Sequence, residues 1–385
     1  VTLATEEAAQ PGWRPEPANR DRLLFSLANA LRLPAAWPHA LPLLATLAPR
    51  MEQAGLREEW LEYVERGIEC CDASGDVQTA AHLVLERGVL LERLGRLTEA
   101  QASLADAVER FKICGDQRST AKAHNRLAYV LRNRHAAIEA AEQVERAQAL
   151  LVENDPEWLY CHLVRGMLAR DRHDWATAVE HLLCCIEGWQ NAEDRRLYGM
   201  SLINLGSVYI AMGEHTRAIE CLTAAMPIVT ELGDSHNTAL IHLNMGGLYL
   251  FLCQPDSALS ESLAAEVVYR QMQDEQRLAL VYSNLGLAYG QLGRIQEAES
   301  SLEAAIQRFE ALEDYPNFVD TLIDMGRLYL DSERRQQARG CAVQAQELLD
   351  RIPHAEVREY QRTKIEYLAY LIDQQSSDEN ESGQS

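Results

Sequence analysis

The chain has 385 residues, 47% of them apolar and 24% charged, enough apolar material to bury a core. Acidic residues outnumber basic ones 58 to 36, a formal charge of −22 that repels nucleic acid and anionic membrane over most of the surface. No run of residues approaches the roughly 20 apolar positions that span a bilayer, and these figures together predict a soluble, cytoplasmic protein with neither nucleic acid nor membrane as partner.

In chain order, residues 1–18 begin "VTLATEEAAQPGWRPEP", without the basic start and apolar middle of a secretory signal, and read as an extended or disordered stretch. Residues 19–37 carry an amphipathic pattern that predicts a capping helix. From residue 38 to residue 353 the chain repeats itself. A small residue after an apolar one recurs at Ala48, Gly88, Ala128, Gly166, Gly206, Gly246, Gly286 and Gly326, spaced by 40 except for the step of 38 between Ala128 and Gly166. Twelve residues later come Ala100, Ala140, Ala178, Ala218, Ala258, Ala298 and Ala338. Seven beyond those come Ala107, Ala147, Ala225, Ala265, Ala305 and Ala345, with Cys185 in the fourth copy. The last four copies add Tyr209, Tyr249, Tyr289 and Tyr329.

Each copy reads as two helices. In the fifth, Leu202, Leu205, Val208 and Tyr209 keep the three-and-four spacing of one helical face, and Gly213 breaks it. Gly55, Gly95 and Gly293 stand at the same phase. A second helix follows through Ala218, Leu222 and Ala225 and stops at Gly233-Asp234. Small residues suit the crossing points, where helix axes approach to about 8–10 Å. Residues 354–374 predict a closing amphipathic helix, and residues 375–385, "QSSDENESGQS", a disordered acidic tail.

These columns resemble the tetratricopeptide repeat family: a small residue at the eighth position, tyrosine at the eleventh, alanine at the twentieth and twenty-seventh. The period of 40 resembles its longer-helix variety. The first copy departs, with Trp60 and Gly67 at the alanine positions and Pro49 beside its marker. The resemblance implies an all-α, right-handed superhelical solenoid of about eight helix pairs with capping helices. It also implies that positions 2, 5, 6, 9, 12 and 13 of each first helix face a concave groove.

In those columns the sixth position is Asn204, Asn244, Asn284 and then Asp324, set among Ile203, Leu243, Phe251 and Leu287. A carboxamide offers donor and acceptor together and can satisfy an extended peptide backbone. Amides that bond along the ladder to neighbouring helices are the alternative. Repeats five to eight are therefore expected to carry most of the affinity for a peptide. In the third repeat Lys122, Arg126 and Arg132 are candidate contacts for an acidic ligand. In chaperone-binding members of the family, lysine and arginine at the first two positions help clamp a C-terminal carboxylate. Glu86 stands where such a clamp has asparagine, which leaves either a local site for an acidic side chain or an Arg126–Glu86 pair.

Nothing in the sequence points to chemistry. Nine scattered cysteines form no C-x-x-C pair, so neither a disulfide framework nor a zinc site is expected. His173, Asp174 and His181 make no ligand set, and phosphate-loop, dinucleotide, nucleophile-elbow and H-E-x-x-H motifs are missing. The expectation is a non-catalytic interaction scaffold without cofactor or metal, a monomer that binds a peptide or helical segment of a protein partner in its groove. Self-assembly through the groove or an exposed cap is a third possibility. The alternative function is a regulatory sensor arm of a bacterial signal-transduction or transcription-control system, and a start at Val1 suits either a stand-alone adaptor or a piece of something larger.

Overall fold

The structure is a computed structural model that describes residues 17–53, 57–134, 136–152, 155–192, 194–353 and 355–382; at 17–22, 48–50, 52–53 and 375–382 only the backbone course is described. The expected extended N-terminus up to residue 16 and the Gly55 turn lie outside the described residues. All regular structure among the described residues is helical. A leading helix α1 (Pro17–Leu31) is followed by eight pairs. These are α2 (Trp37–Gln53) with α3 (Arg57–Ser74), α4 (Val77–Arg93) with α5 (Leu97–Cys114), α6 (Gln117–Asn133) with α7 (Ala137–Leu150), and α8 (Pro156–Asp171) with α9 (Trp175–Asn191). Then come α10 (Arg195–Ala211) with α11 (His215–Leu232), α12 (Ser235–Phe251) with α13 (Pro255–Gln271), α14 (Glu275–Gln291) with α15 (Ile295–Ala311), and α16 (Tyr315–Asp331) with α17 (Arg335–Leu348). A last helix, α18 (Ala355–Ser382), runs through the stretch from residue 375 read above as a tail.

Two backbone devices recur along the described repeats. Seven residues after the marker the chain enters the left-handed region, at Gly95, His173, Gly213, Cys253, Gly293 and Glu333. It does so again just before α4, α6, α12, α14 and α16, at Gly75, Gly115, Gly233, Gln273 and Glu313. The next residue is then an aspartate whose carboxylate caps that helix. Asp76 accepts from the Thr79 N–H, Asp116 from Ser119, Asp194 from Leu197, Asp234 from Asn237, Asp274 from Arg277 and Asp314 from Asn317, at 3.0–3.4 Å. Asp155 does the same for α8 through the Glu157 N–H at 2.8 Å.

A non-glycine residue held left-handed costs about 1–2 kcal/mol, and glycine returns roughly 0.5–1 of that as chain entropy. Glu333, exposed at φ 60°, is such a site. Glu333→Gly is expected to raise stability by about 1 kcal/mol, read as a higher urea midpoint at unchanged slope; a lower midpoint would show that the side chain, not the backbone, decides.

Packing explains the marker column. A Cβ on Gly88 would come 2.6 Å from Leu104, on Gly206 3.0 Å from Leu222, and on Gly286 2.5 Å from Leu302. The blocking leucine stands sixteen residues on, in the second helix of the same pair. Where the marker is Ala128 the residue at that register is Val144, smaller by one methylene. The alanine columns at 100, 140, 178, 218, 258, 298 and 338 have no exposed surface.

Contacts divide the chain into two compact units, residues 1–241 and 242–385. The first holds a continuous core from Leu24 on α1 through Trp60, Phe111 and Trp189 to Val208 on α10. In the second, α14 and α16 lie between their second helices, and α18 packs on α16 and α17. Leu368 of α18 fills the space beside Gly326, where a Cβ would meet it at 2.7 Å, and Lys364 bonds Asp320. The expected closing helix thus packs on the eighth pair.

Candidate ligand site on the first helices

In the first unit four successive first helices turn side chains towards one space. Glu86, Val89 and Arg93 on α4 follow the three-and-four spacing, as do Lys122, Arg126 and Tyr129 on α6. With Glu92, Leu104, Val130, Tyr160 on α8, and Arg196, Leu197 and Met200 on α10, they enclose a cavity of about 130 Å³.

Long-range polar contacts hold Arg93 and Arg196, two of its lining residues. Arg57, buried at the start of α3, donates to the Arg93 carbonyl at 3.0 Å, and its Nη2 lies 3.0 Å from His236 Nδ1 at the start of α12. Arg93 Nη1 approaches the other ring nitrogen at 3.3 Å. The imidazole therefore sits between two guanidiniums and accepts from one of them in either neutral tautomer. Arg196 is tied by its Nε to Asp234 Oδ2 at 2.9 Å, the same aspartate that caps α12. Arg93 also has Glu92 at 3.4 Å.

Two cations of the cavity stand apart. The Arg126 guanidinium lies over the Tyr160 ring, 3.7 Å from its centre, and its Nη1 is buried with no hydrogen-bond partner. Lys122, one turn earlier on α6 and half-buried, has no ion-pair or hydrogen-bond partner among the described residues. Burial raises the Tyr160 phenol above its ordinary pKa, with Arg126 acting in the opposite direction.

Of the three basic residues picked from the third repeat, the structure brings Lys122 and Arg126 together and leaves Arg132 out. Arg132 is paired with Asp171, its Nη2 donating at 2.8 Å and its Nε making a second contact. The Arg126–Glu86 pair does not form: both line the cavity, but Arg126 has no carboxylate partner among the described residues.

The asparagine column behaves differently from copy to copy. Asn204 donates to the Met200 carbonyl of its own helix at 2.9 Å. Asn284 donates to the Leu243 carbonyl on α12 at 3.2 Å, a bond along the ladder. Asn244, half-buried, makes no hydrogen bond among the described residues. Asp324 is half-buried on α16, its carboxyl pushed up to about 6 by burial first and then by Asp320, against the opposing charges of Arg327 and Lys364. Lys364 itself bonds Asp320 at 2.6 Å.

Two residues assigned to the groove lining are corrected: Ile203 and Leu243 are 1% and 7% exposed and belong to the packed layer between helices. Leu287 is half-buried, and Phe251 is 70% exposed at the end of α12. The enclosed cavity lies in repeats two to five, whereas the sequence placed the weight on repeats five to eight. Four residues missed there, Val89, Arg93, Tyr129 and Tyr160, occupy concave positions of repeats two to four and were readable from the same register, which also gives Met200 in repeat five. Arg196 lies before the first of those positions, and no column marks it.

No group of three or more histidine, cysteine or acidic side chains able to hold a metal occurs among the described residues. Nor is any described helix long and apolar enough to cross a membrane.

Paired helices stacked at a 40-residue period define a helical-repeat solenoid. The family model for the tetratricopeptide repeat matches residues 159–231, 197–261 and 277–351, and the chain is a tetratricopeptide repeat protein. The fold is similar to that of a Rap protein complexed with competence and sporulation factor, with TM-score 0.61 and 11% identity over 89% of this chain and 99% of that one. NprR in complex with its cognate peptide NprX gives 0.54 and 18%, over 76% and 88%. A signal-transduction ATPase with a tetratricopeptide repeat sensor from Pyrococcus horikoshii gives 0.53 and 13%, over 90% of this chain and 55% of that one. At these identities the likeness is one of fold. No curated protein matches the chain in sequence.

Proposed function

We propose that the chain is a non-catalytic cytoplasmic regulator that binds a peptide, or a helical segment of a protein partner, on its first helices. The observation that carries this is the cavity enclosed by α4, α6, α8 and α10, with Val89, Leu104, Tyr129, Tyr160 and Met200 as apolar and aromatic walls around a few polar groups. Sites that hold ligands combine such walls with a small number of placed polar atoms. Two solenoids of the same fold were solved with peptide-like ligands, the Rap protein with competence and sporulation factor and NprR with NprX. In the second unit Asn244 and the exposed Phe251 offer the partner a further contact.

The test is partner capture from host lysate with the full chain, beside a Val89→Trp variant that fills the cavity and an Asn204/Asn244/Asn284 triple alanine variant. Val89→Trp is expected to lose the partner, and the triple variant to weaken it several-fold. Undiminished capture by a folded Val89→Trp chain would remove the cavity from the function.

The likeness to the ATPase sensor favours one second reading, in which these repeats receive a signal for an effector region. An open reading frame that continues upstream into a nucleotide-binding domain is the result expected from it.

A further inference from the structure

We infer that the cavity between α4, α6, α8 and α10 is built for a phosphate monoester, held by Lys122 and Arg126. This deepens the reading of the cavity as the ligand site and rests on it.

Charge is unbalanced among the side chains that face the space. Six of them are charged: Glu86, Glu92, Arg93, Lys122, Arg126 and Arg196. Arg196 is matched by Asp234, and Arg93 by Glu92. Glu86 faces the same space and has an interaction of its own. Lys122 and Arg126 are left, two cations without an anion, in a protein whose net charge is −22 and whose surface arginines are widely paired. A half-buried cation with an unbonded N–H is costly unless something supplies the missing acceptor.

Geometry says what kind of acceptor. The Arg126 guanidinium is held over the Tyr160 ring at 3.7 Å, and its Nη1 has no acceptor. A held guanidinium edge suits two-point recognition of an oxyanion, and a lysine beside it adds a point charge. Residues four apart on a helix are about 5–6 Å apart at Cβ, so Lys122 and Arg126 reach one group from the same face. A carboxylate would neutralise one of the two charges. A phosphate monoester carries about −1.5 to −2 at neutral pH and offers three acceptor oxygens, which answers both. The group could come from a phosphorylated peptide side chain or from a small phosphate ester, and the chemistry recognised is the same.

The test titrates the full chain at pH 7.5 and constant ionic strength with inorganic phosphate, with acetate, and with a phosphoserine peptide and its unphosphorylated twin. Saturable phosphate binding is expected, with acetate at least tenfold weaker. Lys122→Gln and Arg126→Gln should each weaken phosphate tenfold or more, and Arg126→Lys should give an intermediate loss. Arg146→Gln, an exposed residue outside the cavity, should change nothing. Lys122 is half-exposed, so its variant keeps the test decisive if Arg126→Gln fails to fold. A phosphopeptide that binds at least tenfold tighter than free phosphate assigns the group to a peptide; equal affinities assign it to a small ester. Lack of saturation by phosphate, equal binding of acetate, or full affinity in a folded Lys122→Gln chain would each overturn the inference. Partner capture that is lost in Val89→Trp but indifferent to Lys122→Gln would reject the phosphate and keep the ligand site.

Discussion

Gly286→Leu is expected to destabilise the second unit by about 3 kcal/mol, at the upper end of what overpacking costs. Even the first atom of a side chain at 286 would come 2.5 Å from Leu302 and 3.3 Å from the Ala298 carbonyl. The backbone at Ala298 cannot yield without moving α15, so the pair α14/α15 must open. Gly286→Ala should be milder, because alanine recovers up to about 1 kcal/mol of helix propensity against the clash. The third repeat supplies a rescue. There the marker is Ala128 and the facing register holds Val144. Gly286→Ala combined with Leu302→Val should therefore recover most of the loss, with a coupling energy of about 1 kcal/mol or more between the two sites. Urea unfolding of the four members of this cycle measures it. Additive losses would mean that the glycine column answers to something other than the leucine opposite.

The repeat itself was legible because four columns keep one period, and periodic small residues have a single packing cause. What escaped had causes outside that pattern. Left-handed turns recur along the described repeats, but His173, Cys253 and Glu333 occupy half of the described first-turn positions, so a search for glycine alone finds the rest. The capping aspartates form a column as regular as the alanines, yet only Gly233-Asp234 was read, and as a stop for the helix before it. Their carboxylates serve the helix after. α18 was read as a closing helix from its amphipathic pattern; that Leu368 fills the space beside Gly326 belongs to no repeat column.

The candidate site was half legible, for a physical reason that can be named. The register rule places Lys122 and Arg126 on the concave face, and they are there. The same rule gave the asparagines an outward role. Asn284 is instead drawn to the Leu243 carbonyl because Gly246 and Gly247 leave room for its amide, 3.5 and 3.7 Å from where their side chains would begin. Arg93 of the cavity lies against His236, which Arg57 meets from 179 residues away, and no 40-residue period reveals such a contact.

Asp324→Asn should make the protein more stable at pH 8 and leave it almost unchanged near pH 4. Asp324 occupies the asparagine column of the eighth repeat, half-buried, and its carboxyl is pushed up to about 6, by burial and then by Asp320. In the unfolded chain it titrates near 3.9. The folded state therefore binds the extra proton between about pH 4 and pH 6. The stability linked to this group is complete below pH 4 and is lost as pH rises through 6. Two units correspond to about 2.7 kcal/mol; partial exposure of the site reduces the expected gain from asparagine to about 1–2 kcal/mol at pH 8. Lys364 keeps its 2.6 Å bond to Asp320 in the variant, so α18 is not left with an unpaired ammonium. Urea midpoints of both proteins at pH 4.5, 6 and 8 check the sign directly. A gap that is constant over that range would assign the gain to packing. A gap that closes towards low pH would show that the column prefers asparagine at this position because a charge there, under α18, is held away from water.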